Sequence, residues 1–128
     1  MIPGKVLFNN ESVFTDWFPR GGDNLLIRAQ MFARESGSQT VTINLYSKKT
    51  DATGDGTLLK DVSGSTFAVV LNSLVVTSGI YLPKATNSGV EDGGMRELVR
   101  YKLTVNNVTA GYSAAVRLFP PIFFDAGK

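Results

Sequence analysis

Apolar and polar positions alternate along most of this chain. From Asn24 to Arg34, Leu25, Ile27, Ala29, Met31 and Ala33 fall on one face and Arg28, Gln30 and Arg34 on the other, with Leu26 and Phe32 as exceptions. A period of two is the mark of a half-buried strand. The segment TVTINLYS repeats it, with Val41, Ile43 and Leu45 inward and Thr42, Asn44 and Tyr46 outward. ELVRYKLTV is cleaner, setting Val99, Tyr101, Leu103 and Val105 against Arg100, Lys102 and Thr104. Ala114, Val116 and Leu118 alternate with Ala115, Arg117 and Phe119. Shorter strands are predicted at Lys5–Phe8, Phe67–Leu71, Leu74–Val76 and Ile80–Leu82.

Clusters of Gly, Asn, Asp and Ser separate these runs, as in ESGSQ, TDATGDGT, SGST, TNSGVEDGG and NNVTAGY. No segment sustains a helical period, although one short helix or 3₁₀ turn is expected in SVFTDWF with Ser12 as its cap. Many short strands with frequent turns predict an all-β, single-domain antiparallel β-sandwich over residues 1–128, of jelly-roll or immunoglobulin-like Greek-key type. Extended arms are expected at residues 1–12 and 120–128. A weak internal echo fits two packed sheets. GGDNLLIRAQM (21–31) and GGMRELVRYKL (93–103) share a glycine pair, then Leu, Ile or Val, and Arg at matching offsets. They read either as two similar hairpins facing each other across the core or as convergent strand patterning, the favoured reading because any turn followed by an amphipathic strand looks alike.

Composition narrows the function. The chain has no cysteine and no histidine. That removes disulfides, cysteine nucleophiles, thiolate metal sites, the usual general base and most zinc chemistry. The 13 basic and 11 acidic residues are dispersed, and no basic run exceeds Lys48-Lys49, so a nucleic-acid footprint is not expected. No apolar stretch approaches the roughly 18 residues of a membrane span, and the first ten residues carry no secretion signal pattern.

Several local patterns invite chemistry. Asp51, Thr53 and Asp55 have the alternating oxygen spacing of a calcium loop, with Gly56 at the turn, but Val62 stands where that loop needs Glu. A polar hairpin loop calls for the same residue types. Trp17 and Tyr46 are candidate platforms for a sugar ring; the competing role for Trp17, with Phe14 and Phe18, is to plug one end of the sandwich. Glu91 with Asp92, and Asp51 with Asp55, are carboxylate pairs that nothing places across a cleft, so catalysis is not expected. No cofactor is implied.

The end of the chain is unusual. In RLFPPIFFDAGK, Pro120 and Pro121 cannot donate to a sheet ladder, so they are expected to end a strand at Phe119. Ile122, Phe123 and Phe124 then either fold back over the sandwich or project into a neighbour. MIPGKVLF at the other end, with Ile2, Val6 and Phe8, poses the same choice. The expected interface is therefore Ile2, Val6, Phe8, Phe119, Pro120, Pro121, Ile122, Phe123 and Phe124.

A small β-sandwich without cysteine or histidine, with apolar extended termini and no catalytic set, resembles the head decoration (cement) proteins of tailed bacteriophages. The likeness lies in size, class and terminal character, so no functional residue is carried over from it. It implies a structural virion protein on the outer capsid surface. Such a protein would act as a homo-dimer or homo-trimer that clamps capsomers of the major capsid protein or binds another virion protein. The alternatives are a carbohydrate-binding sandwich module using Trp17 or Tyr46, and a phage tail or baseplate attachment protein.

Overall fold

The computed structural model describes residues 5–8, 12–22, 24–34, 39–60, 65–82, 95–106 and 113–124, and of residues 5–8 and 113 the backbone alone. Two antiparallel sheets pack face to face. The strands are β1 (Lys5–Phe8), β2 (Ser12–Phe14), β3 (Phe18–Pro19), β4 (Asn24–Arg34), β5 (Thr40–Lys48), β6 (Thr57–Leu58), β7 (Ala68–Leu71), β8 (Val76–Tyr81), β9 (Leu98–Asn106), β10 (Ser113–Leu118) and β11 (Ile122–Phe124). No helical turn forms in SVFTDWF: Ser12–Phe14 is β2, Phe18 opens β3, and Thr15 to Trp17 connect them. The backbone of both strands is drawn into the ladder of β9, a tertiary pairing that outweighs the local capping signal of Ser12.

In the first sheet β4 is central. β10 and β11 lie end to end along one side of it, β8 lies along the other, and β1 closes the far edge against β10. In the second sheet β9 and β5 are the central pair, flanked by β2 with β3 on one side and by β6 with β7 on the other. The first half of the chain thus pairs with the second as a long ribbon: β1 with β10, β2 and β3 with β9, β4 with β8, and β5 with β7. Rolling that ribbon adds the β10·β4 and β5·β9 pairs. This strand order is a jelly roll, two Greek keys closed over one core.

The core comes from the inward positions of both sheets, where Leu25, Ile27 and Met31 of β4 meet Ile43 and Leu45 of β5 and Val99 and Leu103 of β9 in one buried cluster. The echoed segments contain β4 and β9, which are central strands of opposite sheets. They are not hairpins: β4 leads into β5 of the opposite sheet, and β9 into β10 of the opposite sheet. The bend of β4 explains another departure. Ala115 faces Ala33 while Val116 faces Met31, so Phe32 is an extra residue in a β-bulge. The bulge turns Ala33, expected inward, out to the exposed surface.

The terminal segment folds back on its own domain. Phe119 N–H donates to Arg28 O at 3.0 Å, and after the prolines Ile122 resumes pairing opposite Leu26. From Leu118 to Ile122 the strand takes four steps while β4 takes three, so the proline pair occupies a second offset in the ladder. Phe123 packs against the core beside Phe18, with ring centroids 6.2 Å apart. A Cβ on Gly21 would lie 3.0 Å from the Phe123 ring, and one on Gly22 3.0 Å from the Phe124 nitrogen. The glycine pair is the seat that the tail occupies.

Candidate interaction surface

Between Asp61 and Lys84 the sequence contains no charged residue, and all 13 basic and 11 acidic side chains lie elsewhere. Residues 65–82 of this stretch build one whole flank of the sandwich. β7 is the outer strand of the second sheet and β8 of the first; among the described residues β7 pairs with β5 alone and β8 with β4 alone. Both edges therefore offer backbone N–H and C=O groups on the same side of the molecule. Natural sheet edges are usually blunted by lysine, proline or a covering element. Neither β7 nor β8 has any of the first two. The opposite flank differs, since β1 begins with Lys5 and Asp16 lies between β2 and β3.

The flank is also apolar. Val70, Leu74, Val75, Val76, Ile80 and Leu82 are all exposed, Val75 at 63%, Ile80 at 54% and Val76 at 52%. Burial alternates along β8, so Val76, Ser78 and Ile80 face out while Thr77 and Gly79 are half-buried and Tyr81 is buried. Gly79 is required where the two edge strands meet, because a Cβ there would lie 2.5 Å from Val69 Cγ2. The connection from β7 to β8 is fixed from behind. Arg34 Nη1 donates to Asn72 O at 3.1 Å, and Gln30 Nε2 donates to Leu74 O at 3.1 Å. The exposed leucine and valines of this turn are thus held in place.

The apolar surface continues onto the outer face of the first sheet. Leu26 stands opposite Ile80 on one side and Ile122 on the other, so the three form a row across β8, β4 and β11. Ile122 is 42% exposed, Pro120 is exposed, and Phe119, Pro121, Phe123 and Phe124 are half-buried. Arg28 lies with its guanidinium 5.5 Å from the Phe119 ring centre. Of the interface residues expected from sequence, Val6 and Phe8 are on β1, whose side chains are not described, and Ile2 lies outside the described residues.

The sugar-platform residues sit on the outer face of the second sheet in a cluster that uses their rings internally. Phe14 faces Lys102 and Phe18 faces Val99, four steps on one strand against three on the other. The offset carries Thr15 inward, where its hydroxyl accepts the Tyr101 N–H at 3.0 Å, and leaves Trp17 on the outer face. There the Arg100 guanidinium lies 3.7 Å from the Phe14 ring centre and 4.3 Å from that of Trp17. Lys48 Nζ is 4.7 Å from the Trp17 ring, and Tyr46 meets Phe14 edge-on at 5.3 Å. These contacts are cation–π and edge-to-face packing, each worth about 0.5–2 kcal/mol. Trp17 and Tyr46 are half-buried.

The loop carrying Asp51, Thr53 and Asp55 is pinned to the same cluster. Asp55 Oδ1 pairs with Arg100 Nη2 at 3.0 Å. Gly54 and Gly56 adopt φ of 88° and 85°, the left-handed region that favours glycine, and a Cβ on Gly56 would lie 2.7 Å from both Ser47 O and the Trp17 ring. Among the described residues no group of three or more acidic, histidine or cysteine side chains could hold a metal ion. Beside the loop lies a cleft of about 870 Å³ lined by Arg20, Lys49, Thr50, Asp51, Met95, Arg96 and Glu97. Its polar groups knit the loop to the residues that precede β9. Thr50 N–H donates to Glu97 Oε1 at 2.7 Å, which holds the Glu97 carboxyl below its ordinary pKa, and Arg20 Nη1 donates to Met95 O. Glu91 and Asp92 lie outside the described residues.

The two short strands predicted at Leu74–Val76 and Ile80–Leu82 form one, β8 (Val76–Tyr81), and the apolar flank it helps to build is not among the sequence expectations. The signal was present in the long absence of charge from Val62 to Pro83. Among the described residues no helix is long and apolar enough to cross a membrane. No protein-family model, curated protein or solved structure shows a match to this chain.

Proposed function

We propose that the protein is a structural virion protein, a capsid decoration or cement protein that lies on the outer capsid surface as an oligomer and clamps capsomers of the major capsid protein. The observation that carries this reading is the charge-free flank. An apolar, edge-bearing surface on a small domain is a site for another protein, because left bare it promotes aggregation. The row Leu26, Ile80 and Ile122 extends that surface to the terminal segment. The mechanism is burial: a standard interface removes about 1,200–2,000 Å² from water, and many copies acting together strengthen a shell through multivalency.

Jelly rolls serve capsid proteins and lectins alike, so topology alone does not choose between them. Against the lectin reading, the rings of Trp17 and Tyr46 already pack on Arg100, Lys48 and Phe14. The test uses purified protein added to virions of the encoding phage from which it has been stripped. Co-sedimentation with the heads, a higher temperature of genome release, and loss of both in Val76→Lys/Ile80→Lys are expected. Gold labelling confined to the tail would make it a tail or baseplate attachment protein. Failure to bind particles, together with glycan-array hits abolished by Trp17→Ala, would replace this reading with the carbohydrate one.

A further inference from the structure

We infer that β8 is a self-pairing edge: two copies of the chain join antiparallel through it, about a twofold axis at Ser78, and continue the first sheet from one copy into the next. The outward positions flanking Ser78 are symmetric in chemistry. Within the strand, Val76 and Ile80 stand two residues away on either side, and both are exposed. An antiparallel pairing centred on Ser78 sets Val76 opposite Ile80 of the second copy, twice about the axis. Ser78 then meets its own counterpart.

β-branched pairs directly opposite each other are among the favourable cross-strand contacts. With no charge between Asp61 and Lys84, the edge brings no like charges together when it meets itself. That answers the usual objection to homotypic pairing, since a symmetric interface places every charge near its own copy. The apolar row also runs on without a break, from Ile122 through Leu26 and Ile80 into Val76 of the second copy. A strand of the capsid protein laid on the same edge would need to match this pattern; a second copy matches it because Val76 and Ile80 are placed symmetrically about Ser78.

The inference deepens the assembly reading and rests on it for its purpose, but the two fail separately. Sedimentation of the isolated protein reports self-pairing, whereas particle binding reports the role in the virion. Wild-type protein is expected to sediment as a dimer. Ser78→Lys and Ser78→Glu each place like charges on the axis and should raise the dissociation constant about a hundredfold or more. An equimolar mixture of the two variants should recover the dimer.

Ser78 is exposed, so both variants should fold, which circular dichroism checks. A second measurement does not depend on charge. The chain has no cysteine, and directly opposed residues lie about 4.5–5.5 Å apart at Cα, within disulfide range. Ser78→Cys is expected to form a disulfide-linked dimer under mild oxidation, and Ala52→Cys, in the remote exposed loop, is not. A wild-type monomer at all concentrations, a dimer that survives Ser78→Lys, or equal cross-linking at positions 78 and 52 would overturn the inference.

Discussion

Tyr101 is packed edge-on against Phe18 at 5.3 Å, with its hydroxyl buried and without a hydrogen-bond partner among the described residues. Burial pushes its phenol pKa well above the ordinary value of 10.0. The folded chain then keeps a proton that the unfolded chain gives up. The stability tied to this group is therefore intact below about pH 10 and declines as pH rises from there, by about 1.4 kcal/mol per unit. Tyr101→Phe removes both that slope and the cost of an unsatisfied hydroxyl. Urea midpoints should show the variant equal to wild type or up to about 1 kcal/mol more stable near pH 8. Its advantage should widen near pH 11, and a constant gap would contradict the assignment. Gly79 gives a steric counterpart. Gly79→Ala should cost about 1–3 kcal/mol by overpacking against Val69, and Val69→Ala in the same chain should recover part of the loss.

The central strands β4 and β9 are built alike beyond their shared sequence. Each has a neighbour that breaks with a four-against-three offset, at Phe14 to Phe18 beside β9 and at Leu118 to Ile122 beside β4. Each sets an outward arginine over an aromatic ring of that neighbour, Arg100 over Phe14 and Arg28 over Phe119. The tail is thus an element of the sheet with one side chain turned in and one turned out. Phe123→Ala should cost about 2 kcal/mol in a urea titration, as a partly buried ring is lost from the core. Ile122→Ala should change stability by less than about 0.5 kcal/mol, since its side chain is largely exposed. Equal losses at the two positions would mean that the alternation does not hold. The long strands were legible because alternation of Ile27 with Arg28, or Tyr101 with Lys102, encodes one buried face. Ile122–Phe124 was not assigned as a strand because an apolar triplet has no period, and only its pairing with β4 decides which ring enters the core. Trp17 was visible as an aromatic, but the Arg100 stacked on it comes from a residue remote in sequence.

At the scale of the whole molecule, the chain carries no charged residue from Val62 to Pro83, and the apolar β7–β8 flank built from residues 65–82 of that stretch is the feature that supports the assembly proposal. Net charge is only +2, so long-range repulsion between copies is weak and does not oppose the proposed association through this flank. The measurement that tests this most directly is hydrogen exchange at the β8 amides, residues 76–81, in wild-type protein at rising concentration and with added virions. Alternate amides of β8 already bond to β4, while the others face outward. Protection of the outward-facing amides should increase with protein concentration or on particle binding, with β5 and β9 in the central pair unchanged. Exchange along β8 that is indifferent to both protein concentration and virions would contradict the role of this flank.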